Sequence, residues 1–333
     1  MIWLIFANCP TVCVKTLETY LWGSVSEAVS MPIQVRKSFS SGPKQPNIHD
    51  LHRAVSIGCF DDVTRILSSS ELDLNTKVCG STVLSLALYK EMNSIVGALL
   101  QYRPTAVAHH WVLDVNKLSK DDKNRLEPPL ITACRLGNTT AVSLLLDHGA
   151  DPEALDNFHH SALWMATRQR HHELVQVLIA RGASVFTSSR QWSHSPLYFA
   201  VKYSSKRTEI AKTLIKNGTS VHIDNARESI LFCAISQGTI HIAKLLVAAG
   251  YNVSRDAQIR ENLQSGMLTR NSTLLKWLRF EQSNAPSLAT QCRTSIRQSV
   301  VTCSHGQRFI DKLAMLPLPR CIISYLALHD EEP

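Results

Sequence analysis

The sequence predicts an all-α solenoid of stacked helix–turn–helix units followed by a small three-helix module. Three observations carry that prediction. A Leu-x-x-Ala frame recurs at Leu51–Ala54, Leu84–Ala87, Leu130–Ala133, Leu163–Ala166, Leu197–Ala200 and Leu231–Ala234, with leucine steps of 33, 46, 33, 34 and 34 residues. An aliphatic position follows each alanine at a near-constant distance: Ile66, Leu99, Leu145, Leu178, Leu214 and Leu246. Residues 286–328 then abandon the frame for a different apolar pattern.

Each element of the unit follows from this spacing. Leu and Ala three residues apart share one face of a short helix. The small Ala lets the next unit approach closely. The aliphatic position, further along, lies on a second, antiparallel helix. Gly149, Gly182, Gly218 and Gly250 stand four residues after it, where a helix end needs a positive φ. Such a unit cannot bury its apolar face alone, so units must stack. In the fifth unit the aliphatic residue comes two positions late, which places a two-residue insertion near Tyr203–Arg207. The step of 46 adds about 13 residues between units two and three, within 105–127. That insertion, with Trp111 and the charged stretch Lys117–Glu127, is expected to be a solvated loop, with a target contact as the alternative.

With a period near 33 residues, the units resemble ankyrin repeats. Leu51-His52-Arg53-Ala54, Ser195-Pro196-Leu197-Tyr198-Phe199-Ala200 and the run Leu144–Asp151 carry the likeness. The full Thr-Pro-Leu-His tetrapeptide is absent, and the second unit lacks both the Pro and the His. Residues 255–282 do not hold the frame. They read as a degenerate capping unit whose apolar stripe is Leu274, Leu275, Trp277 and Leu278. The expected organisation is an extension and linker over 1–46, repeats over 47–254, a degenerate repeat over 255–285, the C-terminal module over 286–328 and a tail over 329–333.

Composition excludes several classes. Of 333 residues, 44% are hydrophobic and 19% charged, a globular balance. No apolar run reaches the length of a membrane-spanning helix, so no membrane partner is expected. The net charge of +8 is not concentrated in a tail: residues 1–46 hold four bases against two acids, residues 286–333 five against four. A nucleic-acid partner is therefore not expected. Nine cysteines, with no Cys-x-x-Cys pair, read as free and mostly buried thiols of a reducing compartment. Met1–Ala7 is apolar but short and lacks a basic flank, which does not make a secretion signal. The expected location is cytoplasmic or nuclear.

The histidine pairs at 109–110, 159–160 and 171–172 lack a third ligand at metal spacing. They fit repeat turns and helix starts, so no metal or other cofactor is expected. No nucleophile, nucleotide or zincin motif is present, and no catalytic residue is expected.

The C-terminal segment carries the sharper signal. Leu288, Cys292 and Ile296 fall at i, i+4 and i+8 on one helix stripe, with Pro286 expected in that helix's first turn. A second helix is expected at 307–315 with Phe309, Ile310 and Leu313 inward. Leu316-Pro317-Leu318-Pro319 makes a stiff step into a third helix presenting Ile322, Tyr325 and Leu326. So short a segment must dock on the repeats, on a partner, or on both. Ser287-Leu288-x-x-x-Cys292-x-x-x-Ile296 and Leu316-Pro317-Leu318-Pro319-x-x-Ile322-x-x-Tyr325-Leu326 resemble the two halves of a SOCS box. Repeats followed by this box resemble the ankyrin-repeat and SOCS-box family.

That resemblance implies a non-catalytic substrate receptor of a ubiquitin ligase. It implies that Leu288 enters a pocket on elongin C, itself bound to elongin B, with Cys292 and Ile296 beside it. Leu316, Pro317, Leu318 and Pro319 would help select cullin-5 with its RING subunit. Ile322, Tyr325 and Leu326 would pack within the box, and the repeats would hold a target protein for ubiquitination. The alternative is an ankyrin scaffold whose terminal helices only cap the stack. By the repeat phase, turn tips fall near 78–80, 157–159, 191–193 and 225–227. Phe158, Trp192 and Arg227 are the candidate target contacts, because aromatics and Arg are over-represented among interface anchors.

Overall fold

Ser and Thr side chains open many of the helices. Thr82, Ser161, Ser195 and Ser229 each accept a hydrogen bond from the amide three residues on, which satisfies one of the donors a helix start leaves unpaired. A computed structural model describes residues 46–69, 71–103, 112–120, 125–185, 195–203, 208–222, 228–264, 272–284 and 286–329. The extension over 1–45 and the residues Trp111, Trp192 and Arg227 lie outside the described residues, as do the tips at 191–193 and 225–227.

Six helix pairs form the stack. They are α1 (Ile48–Ile57) with α2 (Phe60–Ser69), α3 (Val83–Tyr89) with α4 (Asn93–Gln101), and α5 (Pro129–Leu136) with α6 (Thr139–Asp147). Then come α7 (Ala162–Arg168) with α8 (His172–Ala180), α9 (Pro196–Tyr203) with α10 (Glu209–Lys216), and α11 (Ile230–Ser236) with α12 (Ile240–Ala248). All six frame leucines and alanines are buried, and so are the six aliphatic positions on the second helices. The four predicted glycines take positive φ, from 84° to 110°. A single 3-10 turn at Val253–Arg255 leads into a seventh, irregular pair, α13 (Ala257–Gln264) and α14 (Ser272–Ser283). Leu274 and Leu278 are buried there, and Leu275 and Trp277 pack beside them. No helix among the described residues is long and apolar enough to cross a membrane.

Two turn tips are resolved as tight hairpins. Val78 bridges Ser81 across Cys79 and Gly80, and Leu155 bridges Ser161 across a turn that holds His159 at φ 61°.

The insertion after the second unit differs from the expected solvated loop. Its described part is docked along the tips. Asn75 donates to the Val112 carbonyl and accepts from the Asp114 amide. Asn116 accepts from the Asp151 amide. Ser119 and Lys120 form β1, paired antiparallel with Leu126 and Glu127 as β2, the one two-stranded sheet among the described residues. Glu127 is buried and accepts from Thr132, Tyr89 and, at 2.7 Å, Arg135. Backbone groups that would otherwise compete for water are satisfied by the neighbouring turns, so the added chain is fixed to the stack.

The thiols also depart from expectation. Among the described cysteines only Cys134 and Cys233 are buried, Cys59 is half-buried, and Cys79, Cys292, Cys303 and Cys321 are exposed. A turn tip and a short terminal module have little interior to hide them. Burial pushes the Cys134 thiol well above its ordinary value, and burial beside Glu228 pushes Cys233 up to about 12.

Gly149 and Gly218 share φ 84°, but an added methyl meets nothing at Gly149, whereas at Gly218 it would lie 2.7 Å from Val301 and 2.9 Å from Phe309. Gly149→Ala is expected to cost about 1–2 kcal/mol from backbone strain alone. Gly218→Ala should cost about 1–3 kcal/mol more from overpacking, read as the difference in urea midpoints. His52 is buried on α1 and its Nε2 has no partner. Burial, with His49 nearby, lowers its pKa to about 4. The unfolded chain therefore binds the extra proton between about pH 6.5 and 4. Stability from a neutral His52 is full above about 6.5 and lost as pH falls toward 4, by up to about 3 kcal/mol. The protection factors of the α1 amides, taken against the intrinsic exchange rate at each pH, should fall on going from pH 7 to 5, and His52→Leu should flatten that dependence.

Candidate functional site

The C-terminal residues form three helices, α15 (Leu288–Ser304), α16 (Phe309–Ala314) and α17 (Arg320–Leu326). Ser287 caps α15 by accepting from the Thr290 amide at 3.2 Å. Pro286 precedes that cap, two residues before the first helical residue Leu288 and so outside the first turn where it was expected. The helices enclose a small core of Val301, Phe309, Leu313, Leu326 and Ala327, with Ile296, Val300, Ile310, Leu316 and Leu318 packed around it.

This module is seated on the stack by a second stripe of α15. Arg293, Arg297 and Val301 are buried. At 100° per residue they lie roughly 140° around the helix from Leu288, Cys292 and Ile296. The Arg297 guanidinium donates to the carbonyl of Ile215 at 2.6 Å, near the end of α10, and to the carbonyl of Leu326, the last residue of α17. Its Cζ stands 4.8 Å from the centre of the Phe309 ring, and that of Arg293 stands 4.4 Å from the Tyr325 ring. Burial, with Arg293 nearby, lowers the Arg297 pKa to about 10, so it remains charged at neutral pH. The fourth unit contributes Ser184, whose hydroxyl donates to the His305 carbonyl, and Val185, whose amide donates to the Gly306 carbonyl. The sixth meets α15 where Gly250 faces Thr294. Past α17, Leu328 is fully buried in the core of the repeats.

The predicted residues divide between open and buried positions. Leu288 is 75% exposed, Cys292 is exposed, and Ile296 is half-buried against the small core. Pro317 and Pro319 are exposed while Leu316 and Leu318 are half-buried, and the Leu318 amide closes a tight turn onto the Leu316 carbonyl. Leu326 is buried and Tyr325 is half-buried beneath Arg293. Ile322 does not pack as expected: it is 41% exposed, because the buried face of α17 is taken by residues one turn later. Phe158 lies at its predicted tip and is 52% exposed. Arg293, Arg297, Leu328 and the 75% exposed Met315 are the residues sequence reasoning passed over. The arginines share the i, i+4 spacing of the apolar stripe, which was the available signal.

A family model for ankyrin repeats matches residues 51–154 and 106–189, and a model for the SOCS box matches residues 284–327. The chain is similar to an ankyrin repeat domain from Acinetobacter baumannii, at 26% identity and a TM-score of 0.51, over 60% of this chain and 97% of that one. It shares the fold of the human ASB11 ankyrin repeat domain, at 22% identity and a TM-score of 0.50, over 71% of this chain and 99% of that one. An ankyrin repeat protein of fowlpox virus, FPV014, is 28% identical over 118 residues, 35% of this chain. That match spans 26% of the viral protein's length. Fold and terminal module together define a repeat-based interaction protein carrying a SOCS box. The chain belongs to the ankyrin-repeat and SOCS-box family.

Removing the Arg297 guanidinium leaves the Leu326 carbonyl without a donor, at about 1–3 kcal/mol, and the Ile215 carbonyl with only the Gly218 amide at 3.1 Å. Arg297→Met is expected to lower stability by about 2–4 kcal/mol and to speed hydrogen exchange in α16 and α17 more than in α3 or α5. Arg297→Lys should recover only part of this, since a single ammonium cannot span both carbonyls.

Proposed function

We propose that the protein is the substrate-recognition subunit of an elongin B/C–cullin-5–RING ubiquitin ligase. The carrying observation is the 75% exposure of Leu288 in the first turn of α15, while the same helix uses a different face to hold the stack. Covering a leucine of this kind stabilises a complex by about 1.5–3 kcal/mol, and an amphipathic helix that leaves one stripe open is built for a groove on a partner. In this reading Leu288 is the anchor in elongin C, Cys292 lies beside it, and Ile296 joins that contact to the core of the box. The exposed prolines 317 and 319, held by the half-buried Leu316 and Leu318, are the cullin-5 strip. Tyr325 and Leu326 brace it. The ankyrin repeats hold the target. The protein performs no bond chemistry. Tethering raises the effective concentration of target lysines near the charged conjugating enzyme. The complex works in the cytoplasm or nucleus, with no cofactor.

Co-expression with elongins B and C tests this directly. The wild type is expected to purify as a stoichiometric complex, and Leu288→Ser with Cys292→Ser to lose affinity by about thirtyfold or more, as loss of a buried anchor does. A monodisperse wild type free of elongins would instead assign the box to capping the repeats, the scaffold alternative.

A further inference from the structure

A chain of ring contacts crosses the first-helix side of the fourth and fifth repeats. Phe158 at the turn tip lies 6.1 Å from His160, which stacks on Trp164 at 3.6 Å. Trp164 on α7 meets Phe199 on α9 edge-on at 5.1 Å, and Phe199 stacks on Tyr203 at 5.3 Å. The middle of the strip is packed, with Trp164 buried, but both ends are open: Phe158 is 52% and Tyr203 49% exposed.

The charges beside it are uneven. Arg135, Arg168 and Lys202 occupy the same place in successive repeats, five residues after the frame leucine. Arg135 is paired with Glu127 at 2.7 Å, and Lys202 with Glu228 at 2.7 Å. Exposed Arg168 sits 5.2 Å over the Trp164 ring and has no carboxylate partner among the described residues. Two of the three cations in this column are neutralised within the chain, and the third is held on the aromatic strip with its charge open.

We propose that this strip is the seat of the target, and that it takes an extended segment bearing an aspartate or glutamate beside a large apolar side chain. The carboxylate pairs with the Arg168 guanidinium, whose planar fork suits two parallel hydrogen bonds. The apolar side chain lies against Phe199 and Tyr203, rigid rings that give contact area with little loss of freedom. Aromatics and Arg together are the usual composition of an interface anchor. Calling the bound protein a ubiquitination target rests on the ligase reading; the docking itself does not.

The test pans a phage-displayed library of random short peptides against the purified whole chain. Captured peptides are expected to be enriched in Asp or Glu next to Trp, Phe or Leu. Arg168→Glu should weaken them by about tenfold or more, and more at low than at high salt. Tyr203→Ala should weaken them without changing that salt dependence. Both side chains are exposed, so both variants should keep the parent melting temperature. The proposal is overturned by captured peptides with no acidic preference, by equal binding to Arg168→Glu, or by no capture above that of a variant carrying both Arg168→Glu and Tyr203→Ala. Elongin co-purification is read on the same preparations. Loss of elongin with peptide capture intact sinks the ligase reading alone, and the reverse sinks this one alone.

Discussion

Arg297 holds two helix ends at once. The last carbonyls of any helix lack intrahelical donors and carry the negative end of its dipole, and here α10 of the repeats and α17 of the box both direct such a carbonyl at one guanidinium. A buried cation is expensive unless every donor is used. The carbonyls and the Phe309 face offset that cost without a carboxylate. The terminal module has only five fully buried core residues of its own, too few for independence. The cation therefore makes the two parts one body, and frees the Leu288 stripe from having to do so.

Elsewhere the stack follows the logic of nearest neighbours, with each unit closing the apolar face of the next. The docked insertion adds a second kind of tie. By bonding to turns of the first three units it links tips that the helices alone would leave separate. The aromatic strip of repeats four and five does the same between first helices, with rings in place of backbone.

Much of this is legible in the sequence. The frame leucines, alanines and glycines describe positions where only one size or one φ works, so they are visible as letters at fixed spacing. The order of the two halves of the box was visible for the same reason. Arg297 was not, because an arginine in a helix ordinarily reads as a solvated charge, and its burial depends on carbonyls 82 and 29 residues away in sequence. The docking of residues 112–120 was hidden too, since asparagine and serine look identical in a loose loop and in a tied one. Ile322 misled in the opposite direction: its place in an apolar stripe was right, but a helix of seven residues has too few turns for every stripe position to reach the core.

The seat of the box on the fourth, fifth and sixth repeats has a mechanical meaning. Each junction between repeats is a slightly compliant joint, and compliance accumulates with every joint between two points. In the proposed ligase, cargo gripped at the fourth or fifth repeat stands almost directly on the mount, so its distance from the mount scarcely fluctuates and only lysines within a narrow shell come into range. Cargo gripped at the first repeat would swing on a lever three joints long and sweep a far wider arc. Where along the stack a protein is held would thus decide how many of its lysines are reachable, independently of how tightly it is held.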